Sequence, residues 1–435
     1  MFSIKNNKWK NWSETVMSIS ETFYQPKTLQ EVISIVKKCG ENRKTLRVVG
    51  AGHSFTPLAA TSECLISLNH LSGIASIDHE HGLVDVWAGT TLKELGELLH
   101  EQGYAMENLG DINVQTLAGA ISTGTHGTGI QFGSISTQVT GLTIVTSFGE
   151  VLEVSEQYNG DYFQALRVSL GMLGIIVKIK LRVIPSHQLL SESSRMSLDV
   201  CLNQLNEFNQ KNRHFEFFWF PHTKTVQVKR MNGIHDERLS GKKSNTFNEV
   251  VVENGVFWIL SEMCRLQPKL SKLISTISAK GIPTAKQFGD SYSLYATPRL
   301  VKFREMEYSV PAESMGVVLK DIQFALEKDN FQVHFPIECR YVKQDNIWLS
   351  PAYNRDAAYI AVHMYKGMDF QKYFDAIEDI FHYHNGRPHW GKMHTMQAEE
   401  LEKVYPKFND FLQVRAELDP NGMFLNDYVR RLFGI

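Results

Sequence analysis

Between Ile112 and Gly149 the chain runs for 38 residues without one Asp, Glu, Lys or Arg, although 21% of the whole sequence is charged. A run of that length without charge belongs inside a fold. Its seven glycines and many Ser and Thr nevertheless make it too polar for a plain apolar core. The centre of the run reads LAGAISTGTHGTG, Leu117 to Gly129. Backbone amides and hydroxyls without carboxylates suit an anionic group such as a diphosphate, because a buried carboxylate would repel it. A buried Gly-rich turn that holds no ligand has the same composition, so the tract alone leaves both readings open.

A second glycine signal lies upstream. Thr45 to Pro57 (TLRVVGAGHSFTP) is a strand pattern running into Gly50-Ala51-Gly52-His53-Ser54. Glycines there let backbone N–H groups approach a phosphate closely. The dinucleotide fingerprint fails, however: Phe55 stands where its third Gly is needed, and the acidic residue expected about twenty positions on is absent. An NAD-type Rossmann site is therefore excluded. His53 places an ionisable ring in the tight turn itself, either as a turn histidine bonded to backbone or as a ligand-holding one.

Periodicity divides the chain into two textures. Residues 1–185 alternate helix and strand: Leu29–Cys39 and Thr91–Gln102 carry helical stripes, while Leu83–Trp87, the two arms around Ser147-Phe148-Gly149, and Gly174–Ile184 read as strands. From residue 186 long strands with interleaved aromatics take over, as in HFEFFWF from His214 to Phe220. The expectation is an α+β chain of two intermixed units, 1–185 completed by about 395–435, and 186–394. Leu266, Leu270, Leu273, Ile274 and Ile277 form one apolar stripe, read as a core-facing helix.

The second unit carries its own polar constellation. In FPIECRYV (Phe335 to Val342) a period of two puts Ile337, Cys339 and Tyr341 on one face and Glu338 with Arg340 on the other, able to act together on one small polar substrate. An exposed ion pair on an edge strand has the same pattern. Ala358 to Tyr365 similarly aligns Ala361, His363 and Tyr365, so His363 can join a polar pocket or serve as a structural histidine. His382, His384, His389 and His394 crowd one segment, but their spacing fits no metal motif, and no metal is expected.

These motifs together resemble the vanillyl-alcohol-oxidase superfamily, and within it the sugar-lactone (aldonolactone) oxidases. GAGHS, LAGAISTGTHGTG and VSLGMLGIIVKIKLRVIP resemble its FAD-binding half. FREMEYSVP (Phe303 to Pro311), FPIECRYV, and RPHWGKMH with the segment from Val404 to Phe433 resemble its lactone-oxidising part. The resemblance implies a two-domain fold, an α/β FAD-binding domain with a mixed-sheet substrate (cap) domain. It implies FAD linked covalently through His53. Gly50, Ala51, Gly52, Ser54, Phe55, Thr116, Gly119, Ser122, Gly124, Thr125, His126, Thr128, Gly129, Ile176 and His389 would hold the cofactor. Glu338, Arg340 and Lys392 would be catalytic, and Thr116 and His363 would join them at the substrate. The implied reaction passes hydride from an aldono-1,4-lactone to flavin and electrons on to oxygen, giving hydrogen peroxide. Alditol oxidases share the same catalytic set, and a lactone dehydrogenase with another acceptor is a second variant.

Composition narrows the partners. The 45 Lys and Arg nearly balance 47 Asp and Glu, for a formal charge of -2, which argues against a general nucleic-acid binder. Five scattered cysteines and an N-terminal segment with no apolar signal core lead to the expectation of a reduced, cytoplasmic protein. The longest apolar runs fall far short of the roughly 20 residues a membrane span needs.

Overall fold

The structure, a computed structural model, describes residues 7–234, 247–296 and 301–435. Its N-terminal part begins with a parallel three-stranded sheet in the order Thr22–Tyr24, Cys64–Ser67, Leu46–Val49. The helix Leu29–Glu41 makes the crossover that parallel strands require. Thr28 caps it by accepting from the Glu31 amide, and Val32, Val36 and Cys39 form its buried stripe. Beside it lies a five-stranded sheet ordered Val151–Ser155, Val139–Val145, Ile175–Arg182, Leu83–Trp87, Ile74–Asp78. The uncharged tract supplies one of these strands, Val139–Val145. Its short helix, Leu117–Ser122, starts at Thr116, whose side chain accepts from the Gly119 amide.

One buried cation ties the strand before Gly50 to distant chain. Arg47 is 2% exposed. Its guanidinium donates to the carbonyls of Leu58, Leu170, Gly171 and Phe424. Burial lowers its pKa to about 10, against a countering pull from Asp419. The C-terminal segment is held to the same place by Asn426, whose amide donates to the carbonyls of Pro57, Leu58 and Ala60. The end of the chain thereby braces the glycine turn.

The rest is built on an eight-stranded sheet ordered Ala285–Asp290, Gln188–Ser197, Thr225–Gly233, His214–Trp219, Ile337–Val342, Ala357–Tyr365, Phe303–Pro311, Arg387–Pro388. The Glu338-x-Arg340 strand is therefore internal, which removes the edge-strand reading. Its register aligns Phe218, Glu338, Ala361 and Glu307 in one row and Glu216, Arg340, Tyr359 and Ser309 in the next. Side chains two apart share a face, so this sheet carries Glu216, Glu338, Arg340, Glu305, Glu307 and His363 on one side. Cys339 alternates to the other side. All five cysteines are free and buried, and burial lifts the Cys39 and Cys201 thiols to about 12.

The expected core-facing stripe is corrected. Pro268 opens a 3-10 turn between two helices, Phe247–Leu266 and Ser271–Lys280, so the stripe does not lie along one axis. Ile274 is buried, whereas Leu266, Leu273 and Ile277 are 72%, 55% and 46% exposed. Among the described residues no helix is long and apolar enough to cross a membrane.

Replacing Arg47 with Met leaves the carbonyls of Leu170, Gly171 and Phe424 without their donor, while Leu58 keeps Asn426. At about 1–3 kcal/mol for each group left unsatisfied, the expected loss is roughly 3 kcal/mol or more, read as a lowered denaturant midpoint. An unchanged midpoint would show that these carbonyls find other partners.

Candidate active site

Two clefts meet at the glycine turn. The first spans about 930 Å³, open solvent included, and is walled by Gly50, Ala51, Gly52, His53 and Ser54 on one side, Thr116, Gly119 and Ser122 on another, and Gly171, Gly174 and Ile176 on a third. Only Arg47 and His53 in its walls are ionisable, and no carboxylate faces it. The glycines are required by close approach. A Cβ on Gly50 would sit 2.4 Å from the Thr116 hydroxyl, and one on Gly89 would sit 1.9 Å from the Leu68 carbonyl. A carboxylate-free, amide-rich cleft fits a dinucleotide diphosphate with its ring system. The residues present thus fit FAD.

The second cleft, of about 670 Å³ with open solvent included, shares His53, Ser54, Gln115 and Thr123 with the first. Its walls add Asp111, Thr125, His126, Glu305, Glu307, Glu338, Arg340, His363, His389 and Lys392. The structure thus brings together every proposed substrate-side residue except Thr116, which stays in the first cleft. Phe55, Gly124, Thr128 and Gly129 lie outside both sets of walls. Phe55 is core, with Lys392 Nζ 5.4 Å above its ring. Thr128 donates to the Phe215 carbonyl, and Gly129 has φ +124° and bridges to Val342. Gly124, at φ +72°, would bring a Cβ against Pro351 and Val168.

His53 stands where the two clefts join. The N-terminal segment pins its turn: the Trp12 amide donates to the Gly52 carbonyl, and the Trp12 ring stacks on the imidazole at 5.5 Å. Burial, with Lys392 nearby, lowers the His53 pKa to about 4, so the ring is neutral at pH 7.

Arg340 is held by three carboxylates. Its Nε donates to Glu216 at 2.8 Å, and its Nη2 pairs with Glu338 and lies 3.9 Å from Asp111. Burial opposes its charge, but Glu338, Glu216 and Asp111 overcome that and hold its pKa well above the ordinary value. Glu216 comes from the aromatic strand His214–Trp219 and was not singled out from sequence. A lone acid among five buried apolar or aromatic neighbours is itself a sign of a buried cation opposite.

Glu305 and Glu307 were missed too, although Glu-x-Glu on a strand is the same pattern as Glu-x-Arg. They hold the His389–Lys392 loop in two ways. The carbonyls of Glu307 and Glu305 accept from the amides of His389 and Met393, each at 2.9 Å. The Glu305 carboxylate lies 2.6 Å from Lys392 Nζ and 3.6 Å from His363 Nε2. Burial raises its pKa, yet Lys392 and His363 win and bring it to about 2. Trp390 anchors the loop from behind, donating to the Leu349 carbonyl at 2.7 Å and stacking on Tyr405 at 4.8 Å.

His126, Glu307 and His389 offer ligand atoms within 4.8 Å of one another, the one such group among the described residues. The ring chemistry speaks against a metal there. The Gly391 amide donates to His389 Nδ1 at 3.0 Å, which fixes that lone pair and leaves the proton on Nε2. Burial keeps His389 neutral, with its pKa lowered to about 3.

Comparison with known proteins agrees with this geometry. A family model described as D-arabinono-1,4-lactone oxidase matches residues 179–432, and one described as FAD binding domain matches residues 21–155. The chain is similar to L-gulono-1,4-lactone dehydrogenase of Mycobacterium tuberculosis, 36% identical over 433 residues, covering 98% of this chain and 99% of that protein. It is similar to L-gulonolactone oxidase of Scyliorhinus torazame, 33% identical, covering 98% of each. Among solved structures, cholesterol oxidase of B. sterolicum has a TM-score of 0.79 at 16% identity, covering 99% of this chain and 97% of that one. That likeness shows the fold alone.

Two neutral histidines, His389 buried and His53 half-buried, imply an acid limit. His53 and His389, at about 4 and about 3, lie below the ordinary 6.5, so the fold favours their neutral forms. Their contribution is fully present above about pH 6.5 and is lost as pH falls towards 4. The urea midpoint should therefore drop between pH 7 and pH 4.5, and His389→Gln should flatten that drop. A pH-independent midpoint would contradict the neutral rings.

Proposed function

The chain belongs to the D-arabinono-1,4-lactone oxidase family, FAD-linked enzymes of the vanillyl-alcohol-oxidase superfamily, and we propose that it oxidises an aldono-1,4-lactone of the L-gulono or D-arabinono kind at the carbinol beside the ring carbonyl. The observation that carries this reading is the charge of the second cleft. Asp111, Glu305, Glu307 and Glu338 line it against the fixed cations Arg340 and Lys392. Such a wall repels an anion and offers acceptors to hydroxyl groups, so it suits a neutral polyhydroxylated lactone and disfavours the ring-opened aldonate.

FAD, held against Gly50 to Ser54, Thr116, Gly119 and Ser122, would supply the acceptor for the hydride that leaves the carbinol carbon. Around that event the chain's own groups bind, orient and move a proton. Glu338 accepts from substrate hydroxyls. Arg340, held charged by its three carboxylates, can donate to the carbinol oxygen. Lys392, fixed by Glu305, supplies a second positive charge beside the junction. Preorganised donors of this kind act on charge as it develops. His363 is the proton acceptor. Its Nδ1 lies 3.1 Å from the Pro336 carbonyl, which can only accept, so Nδ1 carries the hydrogen and Nε2 the lone pair. Glu305, 3.6 Å from Nε2, steadies the imidazolium that results. His53 is the attachment point for the flavin, which keeps the cofactor at the mouth of the substrate cleft.

A second reading concerns the acceptor alone. The relative at 36% identity is named a dehydrogenase and the one at 33% an oxidase, so electrons leaving this site could go to oxygen or to another carrier. Peroxide release with oxygen as the only acceptor favours the oxidase reading.

Arg340→Ala and Lys392→Ala should each slow anaerobic flavin reduction by about a hundredfold to a thousandfold while FAD stays bound. Near-normal rates in both would assign these residues a structural role. L-gulono- or D-arabinono-1,4-lactone should show higher kcat/KM than xylitol or sorbitol, and the aldonates should be neither substrates nor tight inhibitors. An alditol preference would replace the lactone assignment. Acid-precipitated, washed wild type should stay yellow and His53→Ala should lose its colour; a colourless wild-type pellet rules out the covalent bond.

A further inference from the structure

The turn that carries His53 is held by a hairpin near the N-terminus, in which Lys8–Lys10 pairs with Met17–Ile19 and residues 11–16 form the tip. That tip takes the carbonyls on either side of His53. The Trp12 amide donates to Gly52 at 2.8 Å, the Asn11 side-chain amide to Ser54 at 2.9 Å, and the Thr15 hydroxyl to Phe55 at 3.2 Å. Asn11 is buried, and its side-chain oxygen accepts from the Val16 amide, so the tip is closed on itself. Glu14 clamps it to the eight-stranded sheet through Lys302, 2.8 Å away and just before Phe303–Pro311, and through Lys366, just after Ala357–Tyr365. The backbone of the turn is thus fixed, but a backbone does not orient an imidazole. The last torsion of a histidine is broad, so the plane of the ring is set by what touches the ring. Among the described residues no hydrogen bond reaches the His53 imidazole; what meets it is the Trp12 indole, with centroids 5.5 Å apart and planes 22° from parallel. The indole is itself held edge-on by Phe303 at 5.3 Å and by Phe55 at 6.3 Å.

We propose that Trp12 is a positioning residue that sets the plane of the His53 imidazole for bonding to the flavin ring system. It lies outside the glycine turn and before residues 21–155, the stretch that matches the FAD binding domain. The inference rests on the covalent reading of His53 given above. In that step an imidazole nitrogen replaces a hydrogen on a methyl carbon of the ring system. One C–H and one N–H hydrogen leave as protons, the electron pair passes to the ring system, and oxygen takes it from there to give hydrogen peroxide. What the chain supplies is alignment, a nitrogen lone pair held in the direction of that carbon, and a ring free to turn about its last torsion meets that need poorly. The stack also refers His53 to the substrate groups. Phe303, which holds the indole, meets the His363 ring edge-on at 5.1 Å, so one aromatic row runs from the attachment residue to the proton acceptor.

Two variants of the holoenzyme separate stacking from bulk. Trp12→Leu keeps an apolar side chain without a flat face, and Trp12→Phe keeps the face. After acid precipitation of protein shown to be folded by circular dichroism, Trp12→Leu should release its flavin into the supernatant. Its covalent fraction should fall by about tenfold or more, the scale of a misaligned reacting pair. Trp12→Phe should retain most of the wild-type fraction. A Trp12→Leu pellet as yellow as wild type overturns the inference, and so does an equal loss in the two variants, which would reduce the indole to a matter of volume. A second readout does not need the bond. In crystal structures of the three holoenzymes the His53 ring should hold one orientation in wild type and Trp12→Phe and lose it in Trp12→Leu; the same single orientation in all three overturns the positioning role. A colourless wild-type pellet instead fails the covalent reading of His53, and the ring orientation alone then decides whether Trp12 positions it.

Discussion

A carboxylate taken out of water must meet a cation or give up its charge, and this constraint organises the site. The eight-stranded sheet presents Glu216, Glu305, Glu307 and Glu338 on one face, all buried. Arg340 is drawn to Glu216 and Glu338 within the sheet, but Glu305 and Glu307 find no partner on neighbouring strands beyond His363. Glu305 reaches outward to Lys392 in the loop after Arg387–Pro388, and Glu307 faces the His126 ring of the uncharged tract. The sheet, the C-terminal loop and the N-terminal half are thus joined through these carboxylates at the place where a substrate must sit. A buried pair of this kind adds little net stability, but removing one partner is expensive, which makes the arrangement specific.

The same logic explains what could be read from sequence. The Glu338-Arg340 strand was legible because two opposite charges alternate with apolar residues on a strand. The glycine turn with His53 and the uncharged tract were legible because a lack of carboxylates is a property of composition. Glu305 and Glu307 were not, because Arg304 beside them makes the segment look like a solvated strand, and the groups they face lie far along the chain. Phe55, Thr128 and Gly129 belonged to recognised motifs, yet the structure spends them on packing and turns. The stripe from Leu266 to Ile277 failed for a third reason: apolar periodicity reports which residues share a face and not what covers that face.

The junction of the clefts at His53 has a mechanistic side. A neutral, half-buried imidazole stacked on Trp12 is held where the amide-rich cleft opens into the charged one. The separation of chemistries is sharp. Groups that tolerate a diphosphate line one cleft, and groups that would repel it line the other, so cofactor and substrate are sorted by charge before any contact specific to either is made.

The cysteines carry a consequence of a different kind. An oxidase that releases peroxide lives beside its own oxidant, and the species peroxide attacks is the thiolate. Here every thiol is buried, and burial pushes Cys39 and Cys201 to about 12 and Cys339 well above the ordinary value, so almost none of that species exists at neutral pH. Cys339 shares a strand with Glu338 and Arg340 but is turned to the opposite face. The packing that excludes water from the core thus also gives the protein chemical endurance, sparing its sulfur from any peroxide that reaches it.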